Sequence, residues 1–175
     1  MNKKVLVIAV ALMAVAMLAT PVKAKTKTEI YAVQSGGVDF TTADKILATP
    51  NGRMHFFWGV EGTGVSCTLY EADQVTVIDT FATSSVFDIK GKDSTSAGFL
   101  NGVLVAHVKM LWESNTYEDS GFEGVAQWRA DDVTPHVITI KGVYQGFGHY
   151  AGQTLQLEGT RMPGAAQIFT GTLLA

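Results

Sequence analysis

The chain has 175 residues, 13 Lys and Arg against 16 Asp and Glu, and a single cysteine. The cations are scattered singly rather than gathered into a basic patch, which excludes a nucleic-acid-binding surface of the usual kind. One thiol cannot form an internal disulfide, so stability must come from burial and hydrogen bonding.

Residues 1–24 read as a secretory signal peptide. Lys3 and Lys4 precede an unbroken apolar run from Val5 to Ala19, and a polar stretch follows, ending Val22-Lys23-Ala24. The run is too short to span a bilayer comfortably as a helix, and small residues stand where cleavage is expected. Cleavage near Ala24 is expected, with an uncleaved anchor as the alternative, and the location is secreted or in the cell envelope or periplasm. Losing Lys3, Lys4 and Lys23 leaves 10 basic against 16 acidic residues, a net charge of −6. What remains, residues 25–175, suits one domain.

From Thr26 onward no helical period is sustained, whereas alternation of apolar and polar residues recurs between clusters of Gly, Asn and Asp. In chain order the predicted strands are Glu29–Gln34, Arg53–Glu61, Val65–Glu71, Val75–Phe81, Val86–Lys90, Val103–Glu113, Phe122–Arg129, His136–Gly146, Thr154–Arg161 and Ile168–Leu173. Asp39–Pro50 is the one place for a short helix or an irregular loop. Pro50-Asn51-Gly52 and Asn101-Gly102 carry tight-turn chemistry, which makes the strands they join antiparallel. The fold class is therefore all-β, a closed antiparallel barrel or a sandwich. A glycine and aromatic echo at Gly98–Gly102, Gly121–Gly124 and Gly148–Gly152 favours the strongly bent, closed alternative. There glycines permit sharp bends, and a nearby ring covers the backbone they leave bare.

Two strands carry the candidate functional residues. In Arg53–Glu61, strict alternation groups Met54, Phe56, Trp58 and Val60 on one face and Arg53, His55, Phe57 and Glu61 on the other; the first row either fills a core or lines a pocket. In Val103–Glu113, Leu104, Ala106, Val108, Met110 and Trp112 form the uniformly apolar face. Opposite stand His107, Lys109 and Glu113, either as a solvated exterior row or turned inward as acid, base or anion-binding groups. Tyr144, on His136–Gly146, joins Phe56, Trp58, His107, Lys109 and Glu113 as a candidate ligand contact.

Other chemistry is weakly represented. His55, His107, His136 and His149 lack the spacing of zinc motifs, so no metal and no cofactor is expected. Glu118-Asp119 and Asp131-Asp132 read as solvated turns, with a weak calcium site as the alternative. Gly59-Val60-Glu61-Gly62-Thr63-Gly64 resembles a phosphate loop only in composition, because a strand and not a helix follows. No nucleophile elbow surrounds any serine. Cys67, beside Leu69 on an apolar stretch, reads as a small buried hydrophobe.

Gly146-Phe147-Gly148-His149-Tyr150-Ala151-Gly152 has the form G-x-G-x-Y-x-G, and resembles a segment near the end of allene oxide cyclase-like and dirigent-like barrels. Leu155–Thr160 and Phe169–Leu173 are similar to that group's terminal strands. The resemblance covers the last third of the chain and carries no catalytic residue over to it. It implies an eight-stranded antiparallel barrel with a central cavity, in a group whose members act on or orient small hydrophobic molecules. Three functional readings follow: a module binding a small hydrophobic molecule in the barrel lumen; a cyclase or isomerase assisted by a group such as His107 or Glu113; and a cell-envelope interaction protein with a filled barrel and a working outer surface.

Overall fold

A computed structural model describes residues 25–92, 104–130, 137–162 and 165–175. The predicted leader, His136, Asp131-Asp132 and the Asn101-Gly102 turn lie outside the described residues. Nine strands run in chain order: β1 (Lys27–Asp39), β2 (Lys45–Ala48), β3 (Met54–Glu71), β4 (Val77–Lys92), β5 (Leu104–Ser114), β6 (Gly121–Ala130), β7 (Ile138–Phe147), β8 (Thr154–Arg161) and β9 (Gln167–Leu174).

Each strand pairs antiparallel with its neighbours in the order β1-β9-β8-β7-β6-β5-β4-β3-β2, and a further pairing of β1 with β3 closes the sheet. One edge of β3 serves two partners, β1 along Glu61–Glu71 and β2 along His55–Trp58. β1 and β2 thus share one place in the wall, and the result is a closed barrel of eight strand positions. Closure removes most of the unpaired edge that an open sheet would present.

Two pairs of predicted strands are single strands. Arg53–Glu61 and Val65–Glu71 merge into β3, and Val75–Phe81 and Val86–Lys90 merge into β4. The glycines between the first pair bend the strand without reversing it, and the β3–β4 register shifts between Phe57 and Val60 and again between Glu61 and Ser66. Across the second pair, Thr83, Ser84 and Ser85 keep the alternation intact, with Ser85 buried.

Gly59 overturns the predicted facing of β3. Its φ is +67°, and a Cβ there would collide with the Asp44 carboxylate. The bulge adds one residue and resets the parity, so Phe57 and Val60 both point inward with no exposed surface, while Phe56 and Trp58 stand half-buried outside. Phe57 therefore belongs to the core row and not to the polar face where strict alternation places it.

Asp39–Pro50 is neither a helix nor a plain loop. Asp39 accepts the Thr41 N–H (2.9 Å) to cap a 3-10 turn at Phe40–Thr42, and β2 follows. The next link, Thr49–Arg53, is a tight hairpin: Gly52 N–H donates to the Thr49 carbonyl (2.8 Å), and Asn51 Oδ1 accepts from Arg53 N–H (3.2 Å).

The barrel interior is occupied by side chains. Trp112, Tyr144, Phe57, Phe81, Phe122 and Phe169 are all under 2% exposed, and they interlock edge to face or tilted, as Phe81 does with Trp112 and Phe122. β5 supplies Ala106, Val108, Met110 and Trp112 to this core and turns His107, Lys109 and Glu113 to solvent, so the exterior reading of that row holds. Burial of each large ring contributes on the order of 2 kcal/mol.

Candidate functional site

The outer wall carries a shallow, open depression of about 1380 Å3 whose lining runs from Trp58 of β3 across β4 to β9 and on to Lys27 of β1. Its construction follows from the two-residue period. Val108, Ala126, Gly142, Leu157 and Gly171 are successive register partners from β5 to β9, and their side chains point inward, leaving backbone as the floor. On one flank run Val86, Lys109, Val125, Val143, Gln156 and Thr172. The other flank is formed by Asp88, His107, Gln127, Lys141, Glu158 and Thr170. The floor is thin because Ala126, Gly142 and Gly171 are small. A Cβ on Gly142 would strike the Tyr144 hydroxyl, so that ring lies directly against the wall from inside.

The first flank is unusual for an exterior surface. Val125 is 61% exposed, Val143 47% and Val86 44%, and Val125 and Val143 are direct cross-strand partners. Charge around them is balanced: Lys27, Lys109 and Lys141 face Asp44, Asp88 and Glu158 in the same depression. Lys141 and Glu158 pair at 2.7 Å, but both side chains are mostly exposed and the pair contributes little. Asp88 Oδ1 accepts the Gly59 N–H at 3.2 Å, pinning the bulge that presents Trp58 to one end of the site. A balanced rim around an apolar strip suits a neutral or zwitterionic molecule with an apolar body better than a strong anion or cation.

Of the residues singled out in the sequence, Trp58, His107 and Lys109 line this depression. Phe56 lies beside it, its ring roughly parallel to that of Trp58 (centroids 5.8 Å apart). Glu113 is exposed on the same outer face but farther along β5, opposite Ala82 and Gly121. Tyr144 is not brought to them. It is fully buried, its hydroxyl donates to Met110 Sδ (3.4 Å), and desolvation with the nearby Cys67 thiol raises its pKa. His107 stands opposite Asp88, the one imidazole and carboxylate that the site sets on facing positions.

Sequence reasoning passed over Val86, Val125 and Val143, although each interrupts the polar side of its own strand: Ser84, Val86, Asp88 in β4; Glu123, Val125, Gln127 in β6; and Lys141, Val143, Gln145 in β7. An apolar residue on the polar beat of an alternating strand is a readable sign of a working outer surface.

A second polar constellation closes the opposite end of β5. Asp79, 2% exposed, accepts hydrogen bonds from Ser114 Oγ, Thr116 Oγ1 (2.6 Å), Tyr150 Oη (2.7 Å) and the Thr80 N–H (2.7 Å). Desolvation pushes its pKa up, yet the hydroxyl donors and the backbone N–H outweigh it and hold the carboxyl below its ordinary value. Tyr150, buried and donating to that carboxylate, has its pKa raised. With its lone pairs engaged, Asp79 is a poor base. The cluster ties β4, the β5–β6 loop and the β7–β8 loop together, and Tyr117 stacks on His149 above it (centroids 3.8 Å apart).

Among the described residues no three His, Cys, Asp or Glu side chains gather into a metal-binding group. No helix among them is long and apolar enough to cross a membrane. Fold and surface together define an all-β barrel with an aromatic-filled interior and a mixed apolar and charged depression outside. Compared with family models, curated proteins and solved structures, the chain matches none.

Proposed function

We propose that this protein is an exported binding module, a barrel whose filled interior serves as scaffold and whose outer depression holds a small molecule with an apolar body. The observation that carries this reading is the exposed strip of Val86, Val125 and Val143 inside a charge-balanced rim. Leaving such a strip in water costs solubility beyond what the strand propensity of valine requires, and a ligand is its natural cover. The apolar leader supports export. The resemblance of the last third to allene oxide cyclase-like and dirigent-like barrels supports a ligand of hydrophobic character.

The lumen reading has its own support in Gln34 and Gln167. They face each other across β1 and β9, are 1% and 3% exposed, and their amide oxygens have no partner among the described residues. Such buried acceptors suit a small polar group entering the barrel.

Native mass spectrometry of protein taken from its source identifies the ligand, and variants locate it. With the neutral dye Nile red as probe, Val125→Thr with Val143→Thr, which keeps the shape and strand propensity of the cross-strand pair, weakens binding by several-fold while leaving the thermal midpoint nearly unchanged. Unchanged binding in that variant, with loss in Gln34→Leu, moves the site into the lumen and refutes the outer one.

A further inference from the structure

The β2–β3 hairpin exposes consecutive aliphatic side chains beside aromatic ones. β2 pairs only with β3 among the described residues, and all four of its residues are exposed. Ile46 and Leu47 are 45% and 47% exposed. As consecutive strand residues they point to opposite faces, so the hairpin is apolar on both sides at its free edge. Next to Leu47 in register lies Phe56, with Trp58 two residues on.

The outer part of the hairpin is cationic. Between Lys45 and Val60 the chain contains no Asp or Glu, and Asp44, Glu61 and Asp88 stand at the base of the hairpin around Gly59 and Val60. Lys45 lies over the Trp58 ring and Lys90 over the Phe56 ring, each with its ammonium 5.6 Å from the centroid, and Arg53 is exposed at the hairpin turn. Aliphatic tips, flanking aromatics and long cations around one edge form the combination that settles at a membrane interface. The apolar groups enter the boundary of the acyl chains, the rings lie at headgroup depth, and the ammonium and guanidinium groups reach anionic phosphates.

We propose that the β2–β3 hairpin docks the barrel onto an anionic lipid surface. A flat protein partner would cover one face of β2 and leave either Ile46 or Leu47 in water, whereas a headgroup layer surrounds the hairpin and covers both. The β2 backbone edge, unpaired among the described residues, limits the depth to the interfacial region, where water and headgroups satisfy its polar groups. This surface shares Trp58 with one end of the depression, but its aliphatic tips lie apart from the valine strip, and it stands whether or not that strip holds a ligand.

The test uses the chain from Lys25 onward, which contains every strand of the barrel, with vesicles of phosphatidylcholine alone or mixed in equal parts with phosphatidylglycerol. Co-sedimentation is expected with the mixed vesicles, falling as salt rises, and accompanied by a blue shift of tryptophan emission. Trp112 and Trp128 are buried, so that shift reports on Trp58. Ile46→Asp with Leu47→Asp lowers the partition coefficient by about tenfold or more, and Lys45→Glu with Lys90→Glu lowers it comparably. Both variants retain the buried-aromatic circular dichroism of the parent, and Val125→Thr with Val143→Thr retains vesicle binding. Equal affinity for neutral vesicles, no binding to either kind, or unchanged partition in both hairpin variants overturns the proposal.

Discussion

Asp79 offers the sharpest test of how the barrel is held shut. Replacing it with Asn preserves shape but exchanges one acceptor oxygen for an NH2 group. If the amide nitrogen takes the Oδ2 position, the Ser114 and Tyr150 hydroxyls lose their acceptor; in the other orientation, the Thr116 hydroxyl and the Thr80 N–H do. A hydrogen bond to a charged group contributes about 1.5–3 kcal/mol net, and Ser114 and Thr116, on the loop side, can turn partly toward water. The expected loss is therefore about 3 kcal/mol, which lowers the melting midpoint of a domain this size by roughly 6–12 °C. Tyr150→Phe removes a single donor to the carboxylate and costs about 1.5–3 kcal/mol. In a double-mutant cycle with Asp79→Asn the two losses are less than additive, because they share one bond. The pH dependence supplies a second readout. The folded carboxyl titrates below its unfolded value, so its contribution is present at neutral pH and is lost as pH falls below about 4 toward the folded pKa. Asp39 and Asp73, also lowered by threonine hydroxyls and backbone N–H groups, share that acid limb, so Asp79→Asn flattens it without abolishing it. Urea titrations at neutral and acid pH measure both effects. An Asp79→Asn protein within about 0.5 kcal/mol of the parent at neutral pH refutes the assignment of this carboxylate as the clasp of the barrel end.

Two further outcomes probe the wall itself. Gly59→Ala places a side chain at φ +67° and against the Asp44 carboxylate, so urea unfolding should show a loss of roughly 1–2 kcal/mol; a neutral result means that the bulge relaxes freely. Cys67 is buried and its thiol pKa is pushed up to about 12 by desolvation, so a thiol reagent at mildly alkaline pH should label it only at the rate of unfolding. Rapid labelling of the native protein would show that the core opens locally around β3.

Much of the architecture is legible where one rule acts alone. β5 alternates without glycine between its ends, and its faces come out of the sequence correctly, Ala106, Val108, Met110 and Trp112 inward and His107, Lys109 and Glu113 outward. β3 obeys the same period only as far as Gly59, where one inserted residue turns Val60 inward after Phe57, and a second shift between Glu61 and Ser66 then brings Cys67 and Leu69 inward. Glycine composition alone does not say whether Gly62-Thr63-Gly64 turns the chain back or merely bends it; the continuous pairing of β3 with both β1 and β4 decides that. The depression is half legible. Trp58, His107 and Lys109 stand out by residue type, whereas the three valines stand out only by their place on the polar beat, and their meeting depends on a register across β4 to β7 that no local pattern encodes.

The glycine-rich run at residues 146–152 shows why a motif conspicuous in sequence can have a structural purpose. Its backbone folds into a 3-10 turn at Gly148–Tyr150, held where the His149 N–H donates to Ser120 Oγ (2.8 Å). A Cβ at Gly148 would strike the Asp119 carbonyl, so only glycine lets the two loops approach this closely. That approach carries the Tyr150 hydroxyl to Asp79, 71 positions earlier in the chain. Loop closure of that length carries a large entropic cost during folding, and a charge-assisted bond buried beneath Phe81 and Phe122 helps to offset it. The run is therefore conspicuous because it seals one end of the barrel, and the surfaces free to meet ligand or lipid are those its glycines do not touch.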